Sequence, residues 1–196
     1  LGMWDRVVNS NIEAFAAAVS NNKKLGLREG GEDFHTLSWL AYANLMLGHF
    51  DRAQENLAIA LATVERNPDD NRVLSRYLNM RARYIIETGD CEESELKSAD
   101  SNEGQHTAWV TALGMCAAKN LDMETATEAL TRLSTKREKT RESGESYKAF
   151  EIEIHEKELG AIIKMMQGEF DQAVVLAREA SLIELENMSA PSGPPI

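Results

Sequence analysis

The stretch GHFDRAQENLAIAL occupies residues 48–61, and GEFDQAVVLAREAS occupies residues 168–181. Both contain Gly-x-Phe-Asp-x-Ala, and small or apolar residues follow four and seven positions after the alanine. Glycine favours the left-handed backbone conformation in which many helices end. Aspartate is typical of the position at which the next helix begins. We therefore expect each stretch to be the turn and the second helix of a helical hairpin.

The residues after each glycine have expected roles at the joint between the two helices. Asp51 and Asp171 are expected to be N-caps, which accept hydrogen bonds from the first free amides of the second helix. Phe50 and Phe170 are expected to fill the joint. The alanine two residues after each aspartate, Ala53 in the first stretch, is expected to be buried because its small side chain lets the helices approach closely.

The helical pattern extends over nearly the whole chain, because apolar residues recur at spacings of three and four. The predicted helices cover residues 4–19, 37–47, 53–64, 71–88, 107–119, 123–141, 147–167 and 170–186. Between them, GDCEESELKSADSNEG (residues 89–104) reads as a short or frayed helix with a linker, and the residues from Ser189 onward read as an extended tail. No alternating strand pattern is found in the sequence, which therefore predicts an all-α fold.

These hairpins resemble the tetratricopeptide repeat, a helix–turn–helix unit of about 34 residues. The matching positions of the first full unit are Leu37, Leu40, Ala41, Gly48, Phe50, Ala53, Leu57 and Ala60. The resemblance implies a right-handed α-α superhelix of helical hairpins. The turn positions Gly2, Gly48, Gly89, Leu121 and Gly168 are unequally spaced, so irregular repeat lengths are expected.

On this basis the chain is expected to be a single array, residues 1–196. The expected units are a partial repeat (1–25), a repeat (34–66), a degenerate repeat (70–104), two further repeats (105–142 and 144–188) and the tail (189–196). MWDRVVNSN, FHTLSWLAYANLMLG, RARYIIETGD and the ending EASLIELENMSAPSGPPI resemble bacterial tetratricopeptide repeat proteins. In that group the chain continues on both sides, so an internal fragment is expected.

Composition excludes several classes of partner. The formal net charge of −11 argues against nucleic acid or an anionic membrane, since both require clustered Lys and Arg. No apolar stretch approaches the ~20 residues of a membrane span. The two cysteines, Cys91 and Cys116, are expected to be free thiols. The alternative, one intrachain bridge, would need an oxidising compartment. A cytoplasmic location is favoured, and a periplasmic or secreted one stays open because the natural N-terminus is expected upstream.

The sequence contains no complete catalytic motif. It contains neither a Gly-rich phosphate loop nor a G-x-S-x-G elbow. HEKEL (residues 155–159) lacks the second histidine of H-E-x-x-H, and we expect it on a surface helix without metal. The basic run RLSTKREKTR (residues 132–141) is expected to place cations at a helix C-terminus, where they stabilise the helix, and to add solubility. The alternative is a docking patch for an acidic partner. We therefore expect no catalytic residues, no metal and no cofactor.

The candidate binding residues come from the geometry of repeat arrays, whose first helices line a concave face on which partners dock. Trp39 and Tyr42 are three residues apart and share a helix face. Arg76 and Arg83 belong to one stripe of the next first helix. Such a surface suits an extended peptide with an acidic side chain or a C-terminal carboxylate. The alternative is that Trp39 lies in the core and that the arginines pair with this chain's own carboxylates.

The function that these features favour is a non-enzymatic scaffold that binds a protein or peptide on its concave face. Two alternatives remain: the supporting array of a larger enzyme or ligand sensor whose active part lies outside this sequence, and a self-assembly module. Apolar residues on the outer sides of the terminal helices, such as Ile12 and Leu182, also predict a homodimer through one end.

Overall fold

The computed structural model describes residues 3–91 and 106–187. Within these ranges the chain forms helices and no strands, which confirms the all-α prediction. The helices are α1 (Trp4–Leu25), α2 (Glu32–Met46), α3 (Phe50–Arg66), α4 (Asn71–Thr88), α5 (Thr107–Lys119), α6 (Met123–Glu142), α7 (Ser146–Met166) and α8 (Phe170–Asn187). Most of the predicted linker at 89–104 and the predicted tail from residue 189 lie outside the described residues.

The described residues divide into two compact units, one up to Thr88 and one from Gly89 onward. In the first unit α1 packs on α2, α2 packs on α3, and α4 contacts both α2 and α3. These contacts enclose a core to which α2, α3 and α4 all contribute: Phe34, Leu37, Ala41, Leu45, Ala53, Leu57, Ala60, Val73, Met80 and Tyr84. Phe15 of α1 packs against this core.

In the second unit α5 packs on α6 and α7, and α7 also packs on α6 and α8. Every residue from 108 to 118 is buried, so α5 is the central helix of this unit. Gly114 lies at a close contact between this helix and its neighbours. A Cβ atom added there would lie 2.7 Å from Leu159 Cδ2 and 2.8 Å from the Cβ of Ala129. A larger residue at position 114 would therefore push the three helices apart.

The turns of the two repeated stretches have the predicted backbone conformation. Gly48 and Gly168 have φ angles of 72° and 79°, in the left-handed region. Ala53 is buried, as predicted, with 1% of its surface exposed. Ala173 is only partly buried, so the second joint is packed less tightly around this position.

The expected roles of the aspartates and phenylalanines at these joints are wrong. α3 and α8 begin at Phe50 and Phe170, so Asp51 and Asp171 are the second residues of their helices and not the N-caps. The N-cap of α3 is His49, whose side chain makes no capping hydrogen bond. Because the aspartates lie in the first turn of their helices, their negative charges interact favourably with the positive end of the helix dipole. The phenylalanines are 44% and 64% exposed and do not fill the joints.

The expectation of two free thiols is also wrong. Cys91 and Cys116 form a disulfide, with Cα atoms 6.6 Å apart and a sequence separation of 25 residues. Asn120, one turn after Cys116 in the chain, donates a hydrogen bond to the Sγ of Cys116 at 3.5 Å. The pairing depends on a contact between Cys91 and α5 that the spacing of the cysteines in the sequence does not reveal.

Candidate peptide-binding surface

Three aromatic side chains meet on α1 and α2, and we call them the aromatic cluster: Trp4, Trp39 and Tyr42. The ring of Tyr42 lies 6.2 Å from that of Trp39, at an interplanar angle of 73°. It also lies 5.5 Å from the ring of Trp4, at 87°. Both contacts are edge-to-face, the arrangement that the ring quadrupoles favour. All three side chains are partly buried, so the cluster retains accessible surface.

Arg83 of α4 lies beside this cluster, close enough to Tyr42 for each group to influence the ionisation of the other. Burial lowers the pKa of Arg83 to about 10, and the neighbouring phenol of Tyr42 acts in the opposite direction. The guanidinium is therefore still protonated at neutral pH, in a place with little water around it. A guanidinium in such a place is a strong hydrogen-bond donor toward a carboxylate.

Tyr42 keeps its hydroxyl proton at neutral pH. Burial raises the pKa of Tyr42, Glu87 raises it further, and Arg83 lowers it. The hydroxyl can therefore both donate and accept a hydrogen bond. Aromatic faces, a hydroxyl and a buried cation together suit a ligand in which a carboxylate lies next to an apolar group.

The second predicted arginine has a different position. Arg76 donates a hydrogen bond to the carbonyl oxygen of Gly31, in the connection between α1 and α2. Arg72, one turn earlier, donates to the carbonyl oxygens of Gly30 and Glu29 at 3.1 and 3.0 Å. These two side chains hold the α1–α2 connection against α4. The structure thus brings Trp39, Tyr42 and Arg83 together and places Arg76 on the connection.

Sequence reasoning missed Trp4 and Glu87 at this surface. Trp4 stands in a Gly-x-Trp-Asp stretch, in the place that Phe50 has in the first quoted stretch. Glu87 is one turn after Arg83, so helical periodicity could have placed it on the same face as Arg83. The contact of Trp4 with Tyr42 joins residues far apart in the chain, and no local pattern predicts it.

The basic run at residues 132–141 lies in the C-terminal half of α6, and its side chains contact neighbouring helices. Arg137 pairs with Glu156 of α7 at 3.0 Å, and Arg141 pairs with Glu153 at 2.9 Å. Burial raises the pKa of Glu156, and Arg137 acts against this effect. These ion pairs favour a structural role for the run in joining α6 to α7.

The HEKEL segment is not on an exposed helix surface, contrary to expectation. His155 is buried, with its Nδ1 3.5 Å from a carboxylate oxygen of Glu158, and Leu159 is fully buried. The reason is that α7 is packed between α6 and α8. Across the described ranges, no three His, Cys, Asp or Glu side chains are grouped to hold a metal ion. A search of the same ranges for a helix long and apolar enough to cross a membrane finds none.

Comparison with known proteins adds no relative to this picture. A scan against protein-family models finds no match, and searches of curated proteins and of solved structures find none either.

Proposed function

We propose that the chain is a non-enzymatic scaffold of tetratricopeptide-like hairpins, stacked as in a right-handed superhelix, and that it binds a segment of another protein. The proposed contact surface consists of the aromatic cluster and Arg83. The proposed ligand is a short extended segment that carries an apolar residue next to a carboxylate.

The observation that carries this proposal is the position of Arg83 beside Tyr42. A protonated guanidinium with lowered pKa is costly to hold in a partly buried place, because burial removes its hydration. A carboxylate ligand would add charge-assisted hydrogen bonds to this guanidinium. The neighbouring rings of Trp39 and Tyr42 offer the rigid apolar contact area that is common at the centres of binding surfaces.

The proposal is tested by selecting short random peptides with free C-termini against the 196-residue chain and measuring the selected peptides by titration calorimetry. We expect the selected peptides to share a carboxylate beside an apolar residue. Trp39→Ala and Arg83→Met should each weaken peptide binding by about tenfold or more, because each removes one well-packed or charge-assisted contact with the peptide.

Arg52→Ala is the matched control, since Arg52 is exposed on α3 and lies outside the proposed surface. Arg52→Ala should bind the selected peptides with the same affinity as the unaltered chain. Circular dichroism should show that all three variants are folded. If no peptide is selected, or if the selected peptides bind folded Trp39→Ala and Arg83→Met normally, the surface is not the binding site.

Self-assembly is the second candidate, and the exposure of Ile12 on α1 and of Leu182 and Leu185 on α8 favours it. Sedimentation equilibrium on the chain and on Ile12→Ser tests this function. Phe15 is unsuitable for such a test because it packs against the core of the first unit. A dimer that Ile12→Ser or Leu185→Ser dissociates would support self-assembly, and a monomer at high concentration would exclude it.

A further inference from the structure

A cavity of about 720 Å³ lies in the second unit, between the first turn of α5 and the C-terminal half of α6. Its volume is in the range of pockets that hold small organic molecules. Thr107 and Val110 line it from α5, and the rest of its described wall comes from residues 131–143. Neither the aromatic cluster nor Arg83 contributes to this wall, so the cavity is separate from the proposed peptide-binding surface.

The basic run at residues 132–141 has side chains on two different faces of α6. Arg137 and Arg141, four residues apart, pair with carboxylates of α7. Arg132, Lys136 and Lys139 follow one another at spacings of four and three residues, so they share a different face of the helix. All three of these side chains line the cavity, and we call them the basic row. The ion pairs with α7 therefore account for only part of the run.

The charge of the wall selects the kind of ligand. The described residues that line the cavity include the three cations of the basic row and no carboxylate, in a chain whose formal net charge is −11. Burial lowers the pKa of Lys136, and Glu151 of α7 acts against this effect, so Glu151 offsets part of one positive charge. A wall with an excess of one sign of charge raises the local concentration of ligands of the opposite sign. The complementary ligand is therefore an anion.

The cationic groups of this wall are accessible to a ligand. Lys139 is exposed, and Arg132 and Lys136 are partly exposed. The ammonium group of Lys136 donates a hydrogen bond to Thr107 Oγ1 at 2.9 Å, which holds it at the α5 side of the cavity. An ammonium group has three hydrogens, so this contact does not exhaust its donors.

The length of the basic row favours a ligand with two anionic groups. Seven residues separate Arg132 from Lys139, which corresponds to about 10 Å along the helix axis. The hydroxyls of Thr131 and Thr135, which also line the cavity, donate to carbonyl oxygens of α6, each at 2.9 Å. Their methyl groups and the methylene stems of the lysines offer apolar contact. An aliphatic chain with a carboxylate at each end combines the matching features.

We propose that this cavity binds a small aliphatic dicarboxylate, whose two carboxylates pair with the basic row and whose chain lies against the threonines of the wall. Arg132 can hold one carboxylate through two parallel hydrogen bonds, and the lysines act as point charges toward the other. The proposal stands on residues separate from the aromatic cluster, so it holds or fails independently of the peptide-binding function.

The probe for the test is suberate, a straight aliphatic chain with a carboxylate at each end. Its binding to the whole chain is followed by NMR chemical shifts of the backbone amides at residues 107–111 and 131–143, at constant ionic strength because salt screens the charges. A dissociation constant in roughly the millimolar range is expected for a ligand of this size. Octanoate has the same chain length with one carboxylate, and we expect it to bind about tenfold more weakly.

Two variants remove the site in different ways. Lys136→Met removes one charge and keeps a side chain of similar length. Thr135→Trp keeps all the charges and fills the cavity from an exposed position that tolerates the larger side chain. Each should weaken suberate binding by about tenfold or more. Lys24→Met makes the same charge change as Lys136→Met at an exposed position of α1 outside the cavity, and suberate binding should be unaltered.

The proposal is overturned if suberate produces no saturable shifts, since the chain's own carboxylates then satisfy the basic row. It is also overturned if suberate and octanoate bind equally, or if Lys24→Met weakens binding as much as Lys136→Met, since net charge alone then attracts the ligand. Suberate binding to folded Lys136→Met and Thr135→Trp that equals binding to the unaltered chain would overturn it as well.

Discussion

The ring of Trp4 meets the ring of Tyr42 edge to face, with the centroids 5.5 Å apart and the planes at 87°. The first turn of α1 is thereby fixed against α2. Trp4→Leu keeps apolar contact but removes the ring pair, so the free energy of unfolding should fall by about 0.5–1.5 kcal/mol. Urea denaturation measures this value. Trp4→Phe retains a ring and should lose less, and equal losses in the two variants would show that ring geometry contributes nothing here.

The joint between α2 and α3 tolerates only a small side chain at position 53. Ala53→Leu should lower the free energy of unfolding by about 1–3 kcal/mol, because the core around it is already filled. Ala58→Leu makes the same change at an exposed position of α3 and should cost less than about 0.5 kcal/mol. Ala173→Leu, at the partly buried counterpart, should fall between them. Thermal unfolding that ranks the three variants otherwise would contradict the described packing.

Gly114 is expected to resist a substitution that normally stabilises helices. Gly→Ala in a helix interior usually gains about 1 kcal/mol, but at Gly114 the new Cβ would meet the Cβ of Ala129 at 2.8 Å, an atom fixed to the backbone of α6. We expect Gly114→Ala to lose about 1–3 kcal/mol of stability.

Gly160→Ala is the control for this prediction. Its new Cβ would meet only the flexible end of Leu176, at 3.3 Å, so denaturation should show a neutral or slightly stabilised protein. A stabilised Gly114→Ala variant would mean that α5, α6 and α7 are not in close contact at this point.

Peptide binding should depend on pH through Arg83. The ligand requires the protonated guanidinium, which is present below its pKa of about 10 and is lost above it. Affinity for a carboxylate-bearing peptide should therefore be constant from about pH 7 to 9 and fall as the pH rises through about 10. Arg83→Lys should move this fall to lower pH, since lysine starts from a lower pKa and the same burial lowers it further. Calorimetry gives the affinities, and an identical profile for both proteins would show that another group controls binding.

The all-α class and most helix boundaries could be predicted from the sequence, because apolar spacing and the glycines at positions 48 and 168 are local signals. The start of α3 at Phe50 could not, since a phenylalanine in the first turn gives no capping signal that competes with Asp51. Burial of Ala53 was predictable from its size. The exposure of Phe50 was not, because it depends on which neighbours reach the joint.

The candidate surface was predictable only in part. Trp39 and Tyr42 share a face by helical periodicity, and the position of Arg83 on a stripe was visible in the sequence. The hydrogen bond of Arg76 to Gly31, and the contact between Trp4 and Tyr42, join segments whose meeting depends on tertiary packing.

The most direct test of the peptide-binding account is a double-mutant cycle in which Arg83 and the ligand carboxylate are the two groups changed. A selected peptide and its amide are each titrated into the unaltered chain and into Arg83→Met. If the guanidinium binds the carboxylate, either change alone should weaken binding by about tenfold or more, and both together should cost hardly more than one. The account would be contradicted if the two fold-losses in affinity multiply when both changes are made. It would also be contradicted if the peptide amide binds as tightly as the peptide acid, both to the unaltered chain and to Arg83→Met.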